Sequence, residues 1–163
     1  MTRTRDAQQS AVYSAEQLIT ALMDSPHAED TPTAFHGSTL PPIEQDRKFA
    51  DIASVQRYVD ALNTLNWGYS SSDGVPPVMV RNRKGSAKAH WEFPNVIAIP
   101  FGRNGGWACR EMVVLHEYAH HAAFHLHGET THGEWFQKIH CDLVRNAVGG
   151  VAGLLLTAAY DGF

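Results

Sequence analysis

The pentapeptide His116-Glu117-Tyr118-Ala119-His120 constrains the fold of this chain more than any other stretch of its sequence. On an α-helix, residues four apart lie on the same face, about one turn apart. Two imidazoles with this spacing can bind one Zn²⁺ ion at roughly 2.0–2.1 Å. Glu117 lies beside that face, where a carboxylate can accept a proton from a metal-bound water. The pattern therefore predicts a helix and indicates zinc hydrolysis chemistry.

The surrounding sequence predicts that this helix lies in the protein interior. The run from Trp107 to Leu115 has the apolar content of a buried helix. Seven of the ten histidines lie in the 25 residues from His116 to His140. A short motif can arise by chance in such a stretch, so a helix with solvated or packed histidines is the alternative interpretation.

Length, charge and cysteine content narrow the class of protein. A chain of 163 residues suits one domain with a substantial core. Its formal net charge is −4, and no run of basic residues is interleaved with aromatics, so no nucleic-acid partner is predicted. Cys109 and Cys141 form neither a disulfide framework nor a Cys-x-x-Cys pair, which indicates reduced thiols and no zinc ribbon.

No targeting or membrane-spanning segment is predicted. The N-terminus is polar and lacks the apolar core of a signal peptide. The longest apolar stretch, from Ala147 to Ala159, is too short for a membrane span and contains three glycines. It predicts a packed C-terminal helix in a cytoplasmic protein with no membrane partner.

Hydrophobic spacing predicts the order of the secondary-structure elements. A helix is expected over about 7–23, followed by a connector, expected to be mobile, that ends near Pro42. A short strand over 48–52, a helix from its N-cap Ser54 to about Leu65 and a loop over 68–77 come next. Strands over 78–81, 87–92 and 95–99 precede the motif helix, which is expected to start near Trp107. The order predicts an α+β fold, with an N-terminal helix and connector over 1–46 and a main domain over 47–163.

A catalytic zinc site needs a third protein ligand and an open position for water. The compact H-E-x-x-H-x-x-G-x-x-H pattern is absent, because Ala123 and Leu126 stand where it requires glycine and histidine. His132 is the best candidate. The alternatives are carboxylates that follow the motif helix: Glu129, Glu134 and Asp142.

The sequence after the motif explains the preference for His132. Gly128 is expected to end the motif helix, and Thr130 or Thr131 to cap a second helix. A histidine at the start of that helix can return beside the first, and Gly133 allows close backbone approach.

The remaining candidates receive smaller roles. His121 and His125 are also four apart but point away from the motif pair, so a second metal site there is only a minor alternative. His127 is about 10 Å along the helix axis from His120, too far to share its ion. His140 is expected on a helix surface or in packing. Candidate donors for a developing oxyanion are Tyr118, Tyr160, His90 and His121. Candidate strands along which an extended peptide substrate could bind are the segments 87–92 and 95–99.

Two segments together resemble the SprT-like zinc metallopeptidases. These are Val114 to His121, with the H-E-x-x-H motif, and His132 to Phe136, an H-G-x-x-F-type segment. The similarity is closer to a small group of actinobacterial and phage metallohydrolases, which also have a strand ending in proline, as Ile97 to Pro100 does, and a C-terminal segment like Gly150 to Tyr160. It covers roughly residues 48–163.

This resemblance implies a site and a fold. By residue correspondence, His116, His120 and His132 would bind Zn²⁺, and Glu117 would be the catalytic acid/base. It further implies a zincin-like single domain with a small mixed sheet packed on the motif helix, and a peptide or protein substrate. Two features depart from the group: Glu134-Trp135 replaces a frequent Pro-Glu, and the zinc-ribbon and DNA-binding extensions are missing.

Three functions are compatible with these residues. The leading hypothesis is a zinc metallopeptidase in which Glu117 activates the metal-bound water. A zinc-stabilised binding or regulatory module without catalysis is the alternative from another class. A zinc hydrolase acting on a non-peptide amide would use the same water chemistry, so spacing does not separate it from a peptidase.

Overall fold

The computed structural model describes residues 6–85, 88–101 and 110–162 of the chain. Its secondary structure is mixed, as the predicted α+β class requires. In chain order, the helices and strands of the described part are α1 (Gln9–Asp24), β1 (Thr33–Phe35), β2 (Ser38–Leu40), α2 (Ile52–Leu62), β3 (Met79–Asn82), β4 (His90–Glu92), β5 (Val96–Ile99), α3 (Glu111–His127), α4 (Glu134–Ala147) and α5 (Gly150–Tyr160). Short 3₁₀ turns are present at Ala28–Asp30 and Ser71–Asp73.

The described residues form two compact units. Unit 1 contains residues 6–46 and 131–162, and therefore holds α1, the β1–β2 pair, α4 and α5. Unit 2 contains residues 47–130, with α2, β3, β4, β5 and α3. Within the described residues, no helix combines the length and apolar character needed to cross a bilayer.

Unit 2 contains the small mixed sheet that the resemblance implies. Its strand order is β3-β5-β4, with β3 parallel and β4 antiparallel to β5. The central strand β5 is apolar, and its residues Ile97 to Ile99 have no exposed surface, as expected for a strand with neighbours on both sides. Helix α3 packs against β4. The strand predicted over 95–99 is confirmed as β5. The suggestion that a substrate could pair with this strand is wrong, because β3 and β4 already pair with both of its edges.

The N-terminal part of unit 2 corrects two predictions. Asp51, rather than Ser54, is the N-cap of α2: its Oδ1 accepts the backbone N–H of Ser54 at 2.7 Å. The helix therefore starts at Ile52. The strand predicted over 48–52 is absent apart from a single antiparallel bridge between Lys48 and Arg110. Asp and Ser are similarly good N-caps, so residue type alone does not decide between Asp51 and Ser54.

The connector predicted over 26–42 in unit 1 contains secondary structure that the sequence does not predict. Strands β1 and β2 form an antiparallel hairpin in which Phe35 pairs with Ser38. The two residues between them, His36 and Gly37, both have positive φ angles, 47° and 79°. Such a two-residue turn matches the twist of the flanking strands. A His-Gly turn is less recognisable in a sequence than Asn-Gly, which explains why the hairpin is not predicted.

The start of α5 is held by a carboxylate from the N-terminal segment of unit 1. Glu44 accepts the backbone N–H groups of Val151 at 2.8 Å and Ala152 at 2.9 Å. A negative charge at this helix end satisfies N–H groups that have no partner within the helix and is favoured by the helix dipole.

Helices α4 and α5 approach closely at a glycine. A methyl group at Gly153 would lie 2.6 Å from Arg145 Cβ and 2.8 Å from Arg145 Cα. Because one of these atoms belongs to the α4 backbone, the clash could be relieved only by moving a helix. Nothing lies within 4 Å of the corresponding position on Gly150, in the first turn of the same helix.

These two glycines give a matched pair of substitutions. We expect Gly153→Ala to lower the free energy of unfolding by about 1–3 kcal/mol, the usual cost of overpacking. Gly150→Ala should be neutral or stabilise by up to about 1 kcal/mol, because it only restricts the unfolded chain. Urea unfolding monitored by circular dichroism measures both, and equal effects would contradict the close approach.

Candidate functional site

Helix α3 carries the motif and is buried on several sides. Eleven of its residues are buried, and they include the polar side chains Glu111, His116, Glu117 and His121. The helix ends at Gly128, as predicted, which has the left-handed conformation with φ 70° and donates its N–H to Phe124 at 2.7 Å. The predicted start near Trp107, itself outside the described residues, is wrong: Arg110 is extended and is the N-cap, so the helix begins at Glu111. A helix so buried must place each of its polar groups against a partner.

The first turn of α3 is anchored by Glu111, which has no exposed surface. Its carboxylate accepts the backbone N–H of Arg47 at 3.1 Å, the Arg47 guanidinium at 2.7 Å and the hydroxyl of Tyr58. The same carboxylate raises the pKa of Arg47 by this hydrogen bond and by its charge. Sequence reasoning missed Glu111, because its partners lie more than 50 positions earlier in the chain.

His116 and His120 lie one turn apart on α3. Their ring centroids are 4.9 Å apart, and each offers a ring nitrogen within 4.8 Å of the other. His116 is 4% exposed, and His120 is half-buried. Glu117, next to His116, is 5% exposed. Unit 2 therefore places two imidazoles one helical turn apart, and the residue after the first of them is a buried glutamate.

His132 belongs to unit 1, where it precedes α4 by two residues. The helix begins at Glu134, and its N-cap Gly133 makes no side-chain capping bond, so the predicted cap at Thr130 or Thr131 is wrong. His132 is buried, and its Nδ1 lies 2.6 Å from Asp6 Oδ2. Burial of a histidine with one nitrogen committed to a carboxylate is typical of metal-binding histidines.

The three carboxylates considered as alternative ligands differ in exposure and in their hydrogen-bond partners. Asp142 accepts hydrogen bonds from Lys138 at 3.1 Å and Arg145 at 2.5 Å on the surface of α4. Glu134 is exposed at the first position of α4, and Glu129 is half-buried just after Gly128. Asp142 is thus already neutralised by two cations of its own helix.

His121 is a structural residue, and the minor alternative of a second metal site with His125 is wrong. Trp91 Nε1–H donates to His121 Nδ1 at 3.1 Å, and His121 Nε2–H donates to the Pro76 carbonyl at 2.7 Å. His125 Nε2–H donates to the carbonyl of Pro94 at 2.6 Å. Burial lowers the pKa of His121 to about 4, so its ring is neutral near pH 7. With both nitrogens occupied, His121 has no lone pair for a metal.

All four candidate oxyanion donors have hydrogen-bond partners within the protein. His121 is paired through both of its ring nitrogens. The hydroxyl of Tyr118 donates to the Tyr69 carbonyl at 2.7 Å, and burial raises its pKa to about 12. Tyr160 shares a 2.6 Å hydrogen bond with His140 Nδ1, and burial raises the pKa of Tyr160 well above its usual value. The fourth, His90, lies 2.6 Å from Glu92 on strand β4.

Unit 1 contains a buried polar cluster that sequence reasoning did not assemble. His140 has no exposed surface, and its Nδ1 lies 3.5 Å from Glu16 Oε1 in addition to its bond with Tyr160. These side chains come from α4, α1 and α5 respectively. Packing, one of the two roles expected for His140, is therefore observed. The only sequence signal was its place four residues after Phe136, on the apolar face of α4.

Comparison with known proteins yields no relative of this chain: no protein family, no curated protein and no solved structure matches it.

Cys141 gives a prediction that tests the packing of unit 1. The thiol is buried, and this burial raises its pKa to about 11. Only the thiolate is reactive, so labelling of Cys141 in a Cys109→Ser protein at pH 8 should be roughly a hundredfold slower than for a free cysteine. The rate should rise with pH up to about 11, whereas unfolded protein should react at once. Fast labelling of folded protein, measured with a chromogenic disulfide reagent, would contradict the described burial.

Proposed function

We propose that this protein is a zinc-dependent hydrolase, specifically a zincin-like metallopeptidase. In this proposal His116, His120 and His132 bind Zn²⁺, and Glu117 is the general base. The observation that carries the proposal is the arrangement on α3, where the two imidazoles lie one turn apart and Glu117, the residue after His116, is buried. The resemblance of the two motif segments to SprT-like metallopeptidases supports the same assignment.

The chemistry of the donor groups fits zinc. Three imidazoles are a known catalytic zinc ligand set, and they leave a fourth position for water. When bound, the ion would lower the pKa of that water to about 7 and polarise the carbonyl under attack. His121 is next to His120 in the sequence, but both of its ring nitrogens are already paired and cannot bind the ion. His116 and His120 are therefore the proposed ligands on α3.

Glu117 would transfer the proton. Its carboxylate accepts the proton of the water and then delivers it to the leaving amine, so that the amide bond breaks without releasing an unstable anion. Its burial supports this role, because a carboxylate shielded from solvent is a stronger hydrogen-bond acceptor for the water.

An extended peptide would bind along strand β4. Of the two edge strands in the three-stranded sheet, β4 is the one that packs against the motif helix. Main-chain hydrogen bonds to a free strand edge give affinity without demanding a particular sequence. The proposal uses this segment because the other one considered from the sequence forms the central strand β5.

The central prediction concerns Glu117→Gln. The variant should retain one zinc per chain, because the ligands are intact, and lose about 10²–10⁴-fold in kcat, because the proton acceptor is gone. Zinc content by mass spectrometry and cleavage of a quenched-fluorescent peptide library measure the two effects. His116→Ala should instead lose zinc.

The matched control is His127→Gln, on the exposed last turn of α3. It should keep both zinc and activity. Unchanged activity in Glu117→Gln would overturn the role of this residue. A protein whose stability depends on zinc but which cleaves no peptide, in wild type and variant alike, would favour the non-catalytic module.

A further inference from the structure

We propose that Asp6 is a positioning residue for His132, an inference that rests on the proposed zinc site. Asp6 precedes α1 by three residues and is 126 positions from His132 in the chain. Its Oδ2 lies 2.6 Å from His132 Nδ1 and accepts the His132 backbone N–H at 3.0 Å. One carboxylate oxygen thus holds both the ring and the main chain of the same histidine.

The hydrogen bond determines which nitrogen of His132 is available. A carboxylate oxygen can only accept, so the proton of the neutral imidazole is on Nδ1. The lone pair is then on Nε2, the nitrogen that faces away from Asp6. Histidines that bind a metal usually donate their other ring N–H to a carboxylate or carbonyl, which fixes the tautomer and raises the basicity of the ligand nitrogen.

Other contacts within unit 1 fix the orientation of the His132 ring. The ring of Phe136, in the first turn of α4, meets it edge-on with centroids 4.9 Å apart, and the centroid of the Tyr13 ring lies at 5.5 Å. Gln137 Nε2 donates to the His132 carbonyl at 2.9 Å. An imidazole held on two sides and at its backbone loses little conformational freedom on binding an ion.

This arrangement gives the segment before α1 a function. The sequence predicts a helix and a connector over residues 1–46 and assigns them no role. Through Asp6, the N-terminal segment would orient a ligand of the proposed metal site. Removing the carboxylate should therefore weaken zinc binding even though Asp6 is not itself a ligand.

The test measures zinc affinity directly, by competition with a chromogenic chelator in the full-length protein. Asp6→Ala should raise the zinc dissociation constant 10–100-fold. Asp6→Asn, which can still accept through its amide oxygen, should have a smaller effect. Asp30→Asn, an exposed aspartate of the same unit, is the matched control and should bind zinc like the wild type.

Two further measurements separate positioning from general stability. In a His132→Ala background, Asp6→Ala should weaken zinc binding no further, because its route to the metal is already lost. In cobalt-substituted protein, Asp6→Ala should shift the visible absorption bands, whereas Asp30→Asn should not. A purely structural role would lower the unfolding temperature of the metal-free protein and leave the dissociation constant and the cobalt spectrum unchanged.

The outcomes distinguish this inference from the proposed function. Wild-type protein that binds no zinc would overturn the proposed function, and this inference with it. Wild-type protein that binds zinc tightly while Asp6→Ala binds it equally well would overturn the role of Asp6 alone. An added loss from Asp6→Ala in the His132→Ala background would show that Asp6 does not act through His132.

Discussion

The burial of α3 is the constraint on which the rest of unit 2 depends. A helix with four polar side chains in the interior is stable only when each of them has a partner, because an unpaired buried polar group costs about 1–3 kcal/mol. Glu111 is matched by Arg47 and Tyr58 at the start of the helix, and His121 by Trp91 and Pro76 further along. Strand β4 and the loop before β3 are thereby tied to the helix that carries the motif.

The hydrogen-bond partners of each histidine in this chain determine which role its ring can have. His121 uses both nitrogens within the protein and stays neutral, so its role is structural. His140 lies in a buried cluster with Glu16 and Tyr160. His132 Nδ1 is hydrogen-bonded to Asp6. On one face of α3, a ring nitrogen of His116 lies within 4.8 Å of one of His120. The proposed chemistry depends on this division.

Elements with strong local signals were predicted well. The strands β3 and β5, the helix α1 and the end of α3 at Gly128 follow from alternation, apolar spacing and a left-handed glycine. Elements whose ends depend on a choice between neighbouring residues, or on a turn with a weak sequence signal, were predicted less well. Asp51, rather than Ser54, is the N-cap of α2, and these two residue types have similar capping preference. The β1–β2 hairpin turns at His36-Gly37, a weak sequence signal.

By itself, the sequence determined the helical motif, the α+β class and the candidates His116, Glu117 and His120, because spacing along a helix is a local property. The candidate His132 followed from the helix-ending Gly128 and from the resemblance of the segment that begins with it. Only the tertiary structure decided which side chains engage them or their neighbours. Asp6 reaches His132, and Arg47 reaches Glu111, across 126 and 64 positions of chain. Pairings at such separations follow from how the chain folds back on itself, and no periodicity or motif in the sequence encodes them.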